Sequence, residues 1–244
     1  MNIGKSLSYV FEDKKWIEKV LIGGLVSLIP ILGSILLSGY IIELVRNVRK
    51  GEPEPLPAWD NWGDKLATGF KLFIIILVWM IPLFFLVLLA FVPAILSGDT
   101  SDGGGILGLL SLCFSCLYIL YALVFLLASP GIVIKFAETD DISAGFQFGE
   151  ILSFTTSHLG DIIIYVIVIW IVGLIAGLVG MLLCGIGLLF TSFWASLVSG
   201  HLLAQIGLEN ATPERPLETL RSQQTVEAGE TPSAEDEEEG QELS

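Results

Sequence analysis

Few residues of this chain have the type and spacing that chemistry inside an apolar protein needs. His201 and Gln205 lie four positions apart, so they would share one face of a helix. Glu43 would lie near them if the similar octamers SGYIIELV (38–45) and SGHLLAQI (199–206) mark two halves that pack alike. One hypothesis is that these three side chains form a small polar cluster at the cytoplasmic mouth of the bundle. The blander interpretation, which the sequence favours, is that they are helix-end residues bonded to each other or to headgroups.

No set of residues points to catalysis, to a cofactor or to a metal. Cys113 and Cys116 form a C-x-x-C inside the apolar run SLCFSCLYIL, whereas redox and zinc motifs need a more polar setting and usually more ligands. His158 and His201 are far apart in the sequence. The glycine-rich SDGGG (101–105) follows no predicted strand, and no nucleophile elbow or phosphate loop occurs. We therefore expect the protein not to be an enzyme.

The composition is that of an integral membrane protein. The 244 residues are 53% hydrophobic and 16% charged, with a mean hydropathy of +0.77. Residues 162–205 contain no Asp, Glu, Lys or Arg, and about 20 apolar residues suffice to cross the hydrocarbon layer. Backbone groups in lipid must be paired within the segment, so the runs predict helices. A net charge of −14 disfavours nucleic acid as a partner.

The predicted fold is all-α, a polytopic helical bundle in the membrane. Residues 1–19 are a polar amphipathic lead, 20–207 the membrane domain and 208–244 a disordered acidic tail, since the tail is acidic and has few large apolar residues. We predict six helical segments arranged as three hairpins, at about 20–29, 33–48, 66–96, 106–134, 161–183 and 186–206.

The apolar stretch 20–45 decides between two topologies. If it turns back at Pro30–Gly33, all 12 basic residues lie on one face of the membrane. If it crosses once, they divide eight to four, and the protein has five spans. Because basic residues collect in cytoplasmic loops, we favour the hairpin. Its legs are short, so it is a short or re-entrant pair. Both termini are then cytoplasmic, in a multi-pass protein of the cell membrane.

Two further patterns concern the membrane surface and helix packing. Trp59 and Trp62 lie on the apolar side of an amphipathic segment that leads into a span, and we expect them to be interfacial anchors. Small residues form stripes on the last two spans and should allow helices to approach closely, either within the chain or between copies. These residues are Gly173, Gly177, Gly180, Ser192, Ser196 and Gly200.

One region resembles a known family. The stretch GYIIELVRNVRKGEPEPLPAWDNWGDKLATGFKLFIIILVWMIP (39–82), with its basic helix exit, Leu56-Pro57 and Trp62-Gly63, is similar to the prokaryotic membrane family called domain of unknown function 4013. DDISAGFQFGEIL (140–152) is similar to the later half of that family. The resemblance implies a multi-pass membrane protein of archaea or bacteria. It implies no activity and no catalytic residues.

Two functions fit the sequence. The first is a non-catalytic scaffold, packing or lipid-interacting module, because the best spans contain no charged residue at their centres. The alternative is a transporter or channel for an uncharged or amphipathic solute, because interrupted helices build binding sites. The expected partners are the lipid bilayer and either a second copy or another membrane protein.

Overall fold

Long apolar helices make up most of the part of the chain that the structure describes. A computed structural model describes residues 1–97, 105–183 and 185–208. Within these ranges the protein is all-helical, as predicted. One described element is a 3₁₀ helix, Ile142–Phe146. The α-helices are α1 (Ile3–Glu12), α2 (Trp16–Val26), α3 (Leu32–Lys50), α4 (Trp62–Ser97), α5 (Gly105–Thr139), α6 (Phe148–Ser157), α7 (Leu159–Leu182) and α8 (Gly187–Gln205).

Four of the described helices, α4, α5, α7 and α8, are long and apolar enough to cross a membrane. The helices α4 and α5 contain 36 and 35 residues. At about 1.5 Å per residue each is more than 50 Å long, well beyond the roughly 30 Å of hydrocarbon. Their polar ends therefore extend past the apolar layer as continuous helix. The predicted amphipathic segment before the span is thus the first part of α4 and not a separate helix.

The apolar stretch 20–45 folds back on itself. The helix α2 ends at Val26 and α3 begins at Leu32, and Ile31 between them has a φ of 64°. The indole N–H of Trp59, which follows α3, donates to the carbonyl of Lys19, which precedes the stretch, at 2.9 Å. Both flanks therefore lie at the same end of the bundle. The 11 residues of α2 span only about 16 Å, which makes this the short hairpin that was predicted.

The sequence around residue 50 explains why α3 ends there. Gly51 has a φ of 74°, a left-handed conformation that favours glycine, and its N–H caps the carbonyls of the last turn. Arg49 and Lys50 lie in that turn, where positive charge complements the helix dipole. The helix cannot continue into the proline-rich segment after Gly51.

Two glycines allow α3 and α4 to cross closely. A Cβ atom on Gly39 of α3 would overlap the backbone carbonyl of Lys65, and a Cβ atom on Gly69 of α4 would overlap the carbonyl of Ile35. Each helix thus presses a glycine against the backbone of the other. Any larger side chain at either position would force the two helices apart.

The main core lies near the polar ends of the helices. It joins Ile42 and Val45 of α3 and Ile75 of α4 to a buried stretch of α5 around Ile132–Ala137 and to the end of α8 around Leu203–Ile206. By contrast, the first half of α5 is largely exposed, as lipid-facing helices are. The main core therefore lies at one end of the bundle, and this end contains the polar residues discussed below.

Residues 1–207 form one compact unit. The predicted disordered tail, 208–244, lies outside the described residues except for Leu208. Its disorder and the domain boundaries stay predictions.

Candidate functional site

The structure brings His201 and Gln205 together and adds two residues of the N-terminal helix to them. Ser6 Oγ lies 2.8 Å from His201 Nδ1. The Gln205 amide donates to Ser6 Oγ at 2.8 Å and lies 3.0 Å from His201 Nδ1. The backbone N–H of Asn2 donates to Gln205 Oε1. We call Asn2, Ser6, His201 and Gln205 the polar clasp, because they fasten α1 to the end of α8.

An aromatic contact extends the polar clasp along α8. The ring of Tyr9 stacks on the His201 imidazole with a centroid separation of 4.2 Å. The Tyr9 hydroxyl donates to the carbonyl of Leu197 at 2.9 Å. Burial raises the pKa of Tyr9 well above its ordinary value of 10.0, with a smaller contribution from Tyr40, so this hydroxyl remains a neutral donor. A carbonyl in the middle of α8 thus gains a partner outside its own helix.

The structure places Glu43 in a different group from His201 and Gln205. The Glu43 carboxylate lies 2.9 Å from the ammonium of Lys65, whose side chain is only 2% exposed. Lys65 also donates to the backbone carbonyl of Asp60 at 2.9 Å and lies 3.3 Å from the Asp60 carboxylate. The expected cluster of three is therefore two separate groups. Glu43 joins α3 to α4, whereas His201 and Gln205 join α8 to α1.

A set of ion pairs joins the polar ends of α3, α4 and α5. Asp140, which follows α5, binds Arg46 of α3 at 2.8 Å and Lys71 of α4 at 3.0 Å. Partial burial raises the pKa of Asp140, but hydrogen bonds and charges from Arg46 and Lys71 outweigh this, and the pKa is lower than the ordinary 3.8. Asp140 has a φ of 57°, unusual for a residue other than glycine. We call these three residues the ionic latch.

Arg49 supplies donors to the last carbonyls of α8. Its guanidinium donates to the carbonyls of Ala204 and Ile206, each at 3.1 Å, and pairs with Glu138 of α5 at 2.6 Å. The carbonyls at a helix end have no partner within their own helix. A planar guanidinium with several N–H groups suits this bridging role. The ends of α3, α5 and α8 are thereby held together at one end of the bundle.

A groove runs beneath α6, between α4 and α5. Its volume is about 420 Å³. The side chains that line it are apolar or have their polar atoms bonded to backbone. They are Val78, Trp79, Pro82, Tyr121, Val124, Ala128, Phe146, Phe148, Ile151 and Leu152. We call this the α6 groove.

The two tryptophans predicted as interfacial anchors have different surroundings. Trp59 is partly buried, stacks on Tyr40 with centroids 4.5 Å apart and bonds to Lys19. Its contacts are inside the protein. Trp62 begins α4, is 45% exposed and donates to the Trp59 carbonyl at 3.1 Å. Trp62 is the one whose exposure suits a position against lipid.

The predicted small-residue stripes divide into packed and open positions. Cβ atoms on Gly180 and Gly200 would collide with Leu188 of α8 and crowd Leu44 of α3, respectively, so these two glycines allow close helix contact. Cβ atoms on Gly173 and Gly177 would meet nothing within 4 Å. Ser192 and Ser196 are exposed and bond to carbonyls of their own helix. Four of the six predicted packing positions therefore face away from the rest of the chain.

Sequence reasoning missed several residues that hold this end of the protein together. Ser6 and Lys65 belong to amphipathic segments, where a polar residue usually faces water, so no local signal marked them as buried. Gly39 and Gly69 are in the stretch that resembles a known family, but their closeness depends on how two helices cross. No group of three or more His, Cys, Asp or Glu residues that could hold a metal ion occurs in the described ranges.

Comparison with known proteins gives one match. Residues 22–185 match the family described as "Protein of unknown function (DUF4013)". Neither the curated proteins nor the solved structures contain a match to the chain. The match covers α3 to α7, and so includes the Gly39–Gly69 crossing, the ionic latch and the α6 groove. With its apolar helices and a family match over most of its length, the chain is a membrane protein that belongs to the DUF4013 family.

Proposed function

We propose that this protein is a non-catalytic module of the cell membrane, a scaffold that packs with lipids and with neighbouring membrane proteins. The observation that carries the proposal is the closure of its polar groups on one another. His201 and Gln205 are bonded within the polar clasp, and Glu43, the third residue of the predicted polar cluster, is paired with Lys65.

The position of Ser6 argues against catalysis at the polar clasp. A serine beside a histidine is a common nucleophile pair. Here Ser6 is fully buried, its hydroxyl also lies 3.1 Å from the carbonyl of Asn2, and Tyr9 covers the imidazole. A substrate has no access to the oxygen atom. The pair is therefore a fastening between two helices.

Charge distribution supports a cytoplasmic position for the polar end of the bundle. The basic residues of α3, α4 and α5 that form ion pairs lie at this end; they are Arg46, Arg49, Lys65, Lys71 and Lys135. Lys and Arg concentrate on the cytoplasmic side of membrane proteins. Since α1 and the end of α8 meet in the polar clasp, both flanks of the membrane domain lie on the cytoplasmic side in this proposal.

Two surfaces suit the proposed partners. Exposed apolar side chains cover α4 and α5 and would contact lipid. On α7, Gly173 and Gly177 leave an open strip next to the exposed Trp170 and Leu174. A helix of a second copy or of another membrane protein could approach this strip closely.

A second candidate function is passage of an uncharged or amphipathic solute. The interruption between α2 and α3, where Pro30 precedes Ile31 at a φ of 64°, favours it, since broken helices line the sites of many transporters. The two functions differ in one measurable property, the permeability of a membrane that contains the protein.

The test is solute flux through proteoliposomes. Vesicles with the protein and vesicles without it are mixed with glycerol and followed by light scattering as they shrink and swell again. We expect identical swelling rates. Swelling that is several-fold faster with the protein, and slowed again when Pro30 is replaced by Ala, would reject the scaffold and favour the transporter.

A further inference from the structure

We propose that the α6 groove holds one hydrocarbon chain of a bilayer lipid. This inference rests on the proposed function and names the ligand of a lipid-interacting module. The groove volume, about 420 Å³, falls within the roughly 300–1,000 Å³ typical of small-molecule sites.

The lining is chemically suited to hydrocarbon. Two of its residues have polar side-chain atoms, and both are bonded to backbone. The indole N–H of Trp79 donates to the carbonyl of Gly145 at 2.9 Å, and the hydroxyl of Tyr121 donates to the carbonyl of Trp79 at 2.8 Å. The groove therefore offers carbon atoms to its occupant. A water molecule needs two to four polar partners, and a polar solute needs at least as many.

The surroundings show which apolar molecule reaches the groove. Its mouth is formed by exposed side chains of three helices: Val78 is 40% exposed, Val124 47% and Leu152 59%. Their neighbours Leu77 and Leu123 are also apolar and exposed. Because α4 and α5 are membrane-crossing helices, the medium at this mouth is the bilayer. A lipid chain enters sideways without leaving hydrocarbon.

The fit of the lipid chain to the α6 groove, and not the hydrophobic effect, must hold the lipid there. Moving a chain from the bilayer into a protein groove removes no apolar surface from water. What the groove adds is contact on several sides at once, and dispersion forces sum over many atoms. Trp79 and Phe148 form one wall, with ring centroids 4.9 Å apart, and the buried Ile151 ties α6 down.

The charges near the groove predict little choice of headgroup. Lys135 of α5 pairs with Glu150 of α6 at 3.2 Å, and Lys71 pairs with Asp140 at 3.0 Å. The first pair is neutral, and in the second Asp140 is shared with Arg46, so the neighbouring carboxylate Asp141 offsets the second positive charge. A lipid phosphate would thus meet charges that are already balanced, so we expect the groove to select for the chain and not for headgroup charge.

The experiment is photo-crosslinking in reconstituted vesicles. The probe is phosphatidylcholine with a diazirine in the middle of one chain, and adducts are mapped by mass spectrometry of peptides. We expect adducts on residues 121–128 and 146–152 to exceed those on 84–91 several-fold. This segment of α4 is the internal reference, because Phe84 and Leu88 there are exposed apolar residues outside the groove lining.

Three variants make the test specific. Val124→Trp fills the groove from an exposed position, and Leu123→Trp adds the same bulk to the neighbouring residue outside the groove lining. We expect the first to abolish the excess of adducts and the second to leave it. Leu152→Trp fills the groove from α6 and should act like Val124→Trp. If groove-filled and control proteins give the same adducts, the inference is wrong.

A second probe, phosphatidylglycerol with the same labelled chain, tests the headgroup. Equal labelling by both lipids supports recognition of the chain. A strong preference for the anionic lipid that persists in Val124→Trp would place the lipid at a charged surface instead and overturn the inference. The flux measurement is independent of this result. Absent groove adducts in vesicles without flux would reject the lipid site while leaving the scaffold function intact.

Discussion

At the scale of single residues, the polar side chains of this protein join helices. Lys65 shows this most clearly, because its ammonium is buried and yet contacts Glu43 and two oxygens of Asp60. In a membrane protein such a charge would ordinarily suggest an ion or proton pathway. Here each of its contacts ties the start of α4 to the turn before it or to α3.

Replacement of Lys65 tests this structural role. Lys65→Met keeps the length of the side chain but removes the charge, so the Asp60 carbonyl loses a donor and Glu43 loses its partner. We expect a loss of about 1–3 kcal/mol in unfolding free energy, measured by denaturation in detergent. Lys14→Met, at an exposed position, should change it by less than about 0.5 kcal/mol. Equal stability of the two variants would contradict the role assigned to Lys65.

The carboxylate of Asp140 should make the stability of the folded protein depend on pH. The pKa of its carboxyl is lower in the folded protein than the ordinary 3.8, so its stabilisation is fully present above that value and disappears as the pH falls through the folded pKa. Asp140→Asn should therefore lower the melting temperature at pH 7, and the difference from the unmodified protein should shrink towards pH 3.

The control for that measurement is Glu54→Gln, at an exposed position between α3 and α4. We expect this variant to follow the unmodified protein at both pH values. A melting difference for Asp140→Asn that stayed constant with pH would mean that the carboxylate charge is unimportant to the ionic latch.

At the scale of elements, the crossing of α3 and α4 depends on glycine. Gly69→Ala should separate the two helices, because its methyl group would overlap the carbonyl of Ile35, and we expect a loss of about 1–3 kcal/mol. Gly173→Ala is the matched control on a helix with open space around it. Since alanine favours helix more than glycine does, the control should be as stable as the unmodified protein or slightly more so in thermal unfolding.

The long apolar helices could be predicted from the sequence because an uncharged run of sufficient length has few other solutions in lipid. The contacts of Glu43 could not be predicted from the sequence. The octamers around Glu43 and Gln205 suggested that the two lie together, but which residues face each other depends on how the helices cross. The same reason explains why Gly39 and Gly69 were missed and why Gly173 and Gly177, in an equally regular stripe, have no neighbour in the chain.

At the scale of the whole molecule, the membrane domain is fastened at one end. Trp59 and Lys19 meet there, as do the polar clasp and the ionic latch. The positions of the basic residues alone predicted that the polar groups gather on one face of the membrane. It could not predict that the closing contacts involve α1, because a polar N-terminal segment has no pattern that identifies its partner.

Labelling with a membrane-impermeant thiol reagent in intact cells tests the topology. Single cysteines replace Lys14, Glu52 and Ser101 in a protein without native cysteines; the first two positions are exposed. With both flanks of the first hairpin in the cytoplasm, only the cysteine at position 101, between α4 and α5, should react. Reaction at exactly one of positions 14 and 52 would mean that residues 20–45 cross the membrane once.

The polar clasp can form only late in the synthesis of the chain. Ser6 and the Gln205 side chain that binds it are separated by 199 positions in the chain, so α1 leaves the ribosome well before α8 and finds its partner only after α8 has been made. Until then Tyr9 and Val10, which are buried in one cluster with Phe193 and Leu197 of α8, lack that part of their cover. A chain that stops before α8 therefore leaves part of the apolar face of α1 uncovered, and the arrival of the last helix buries it.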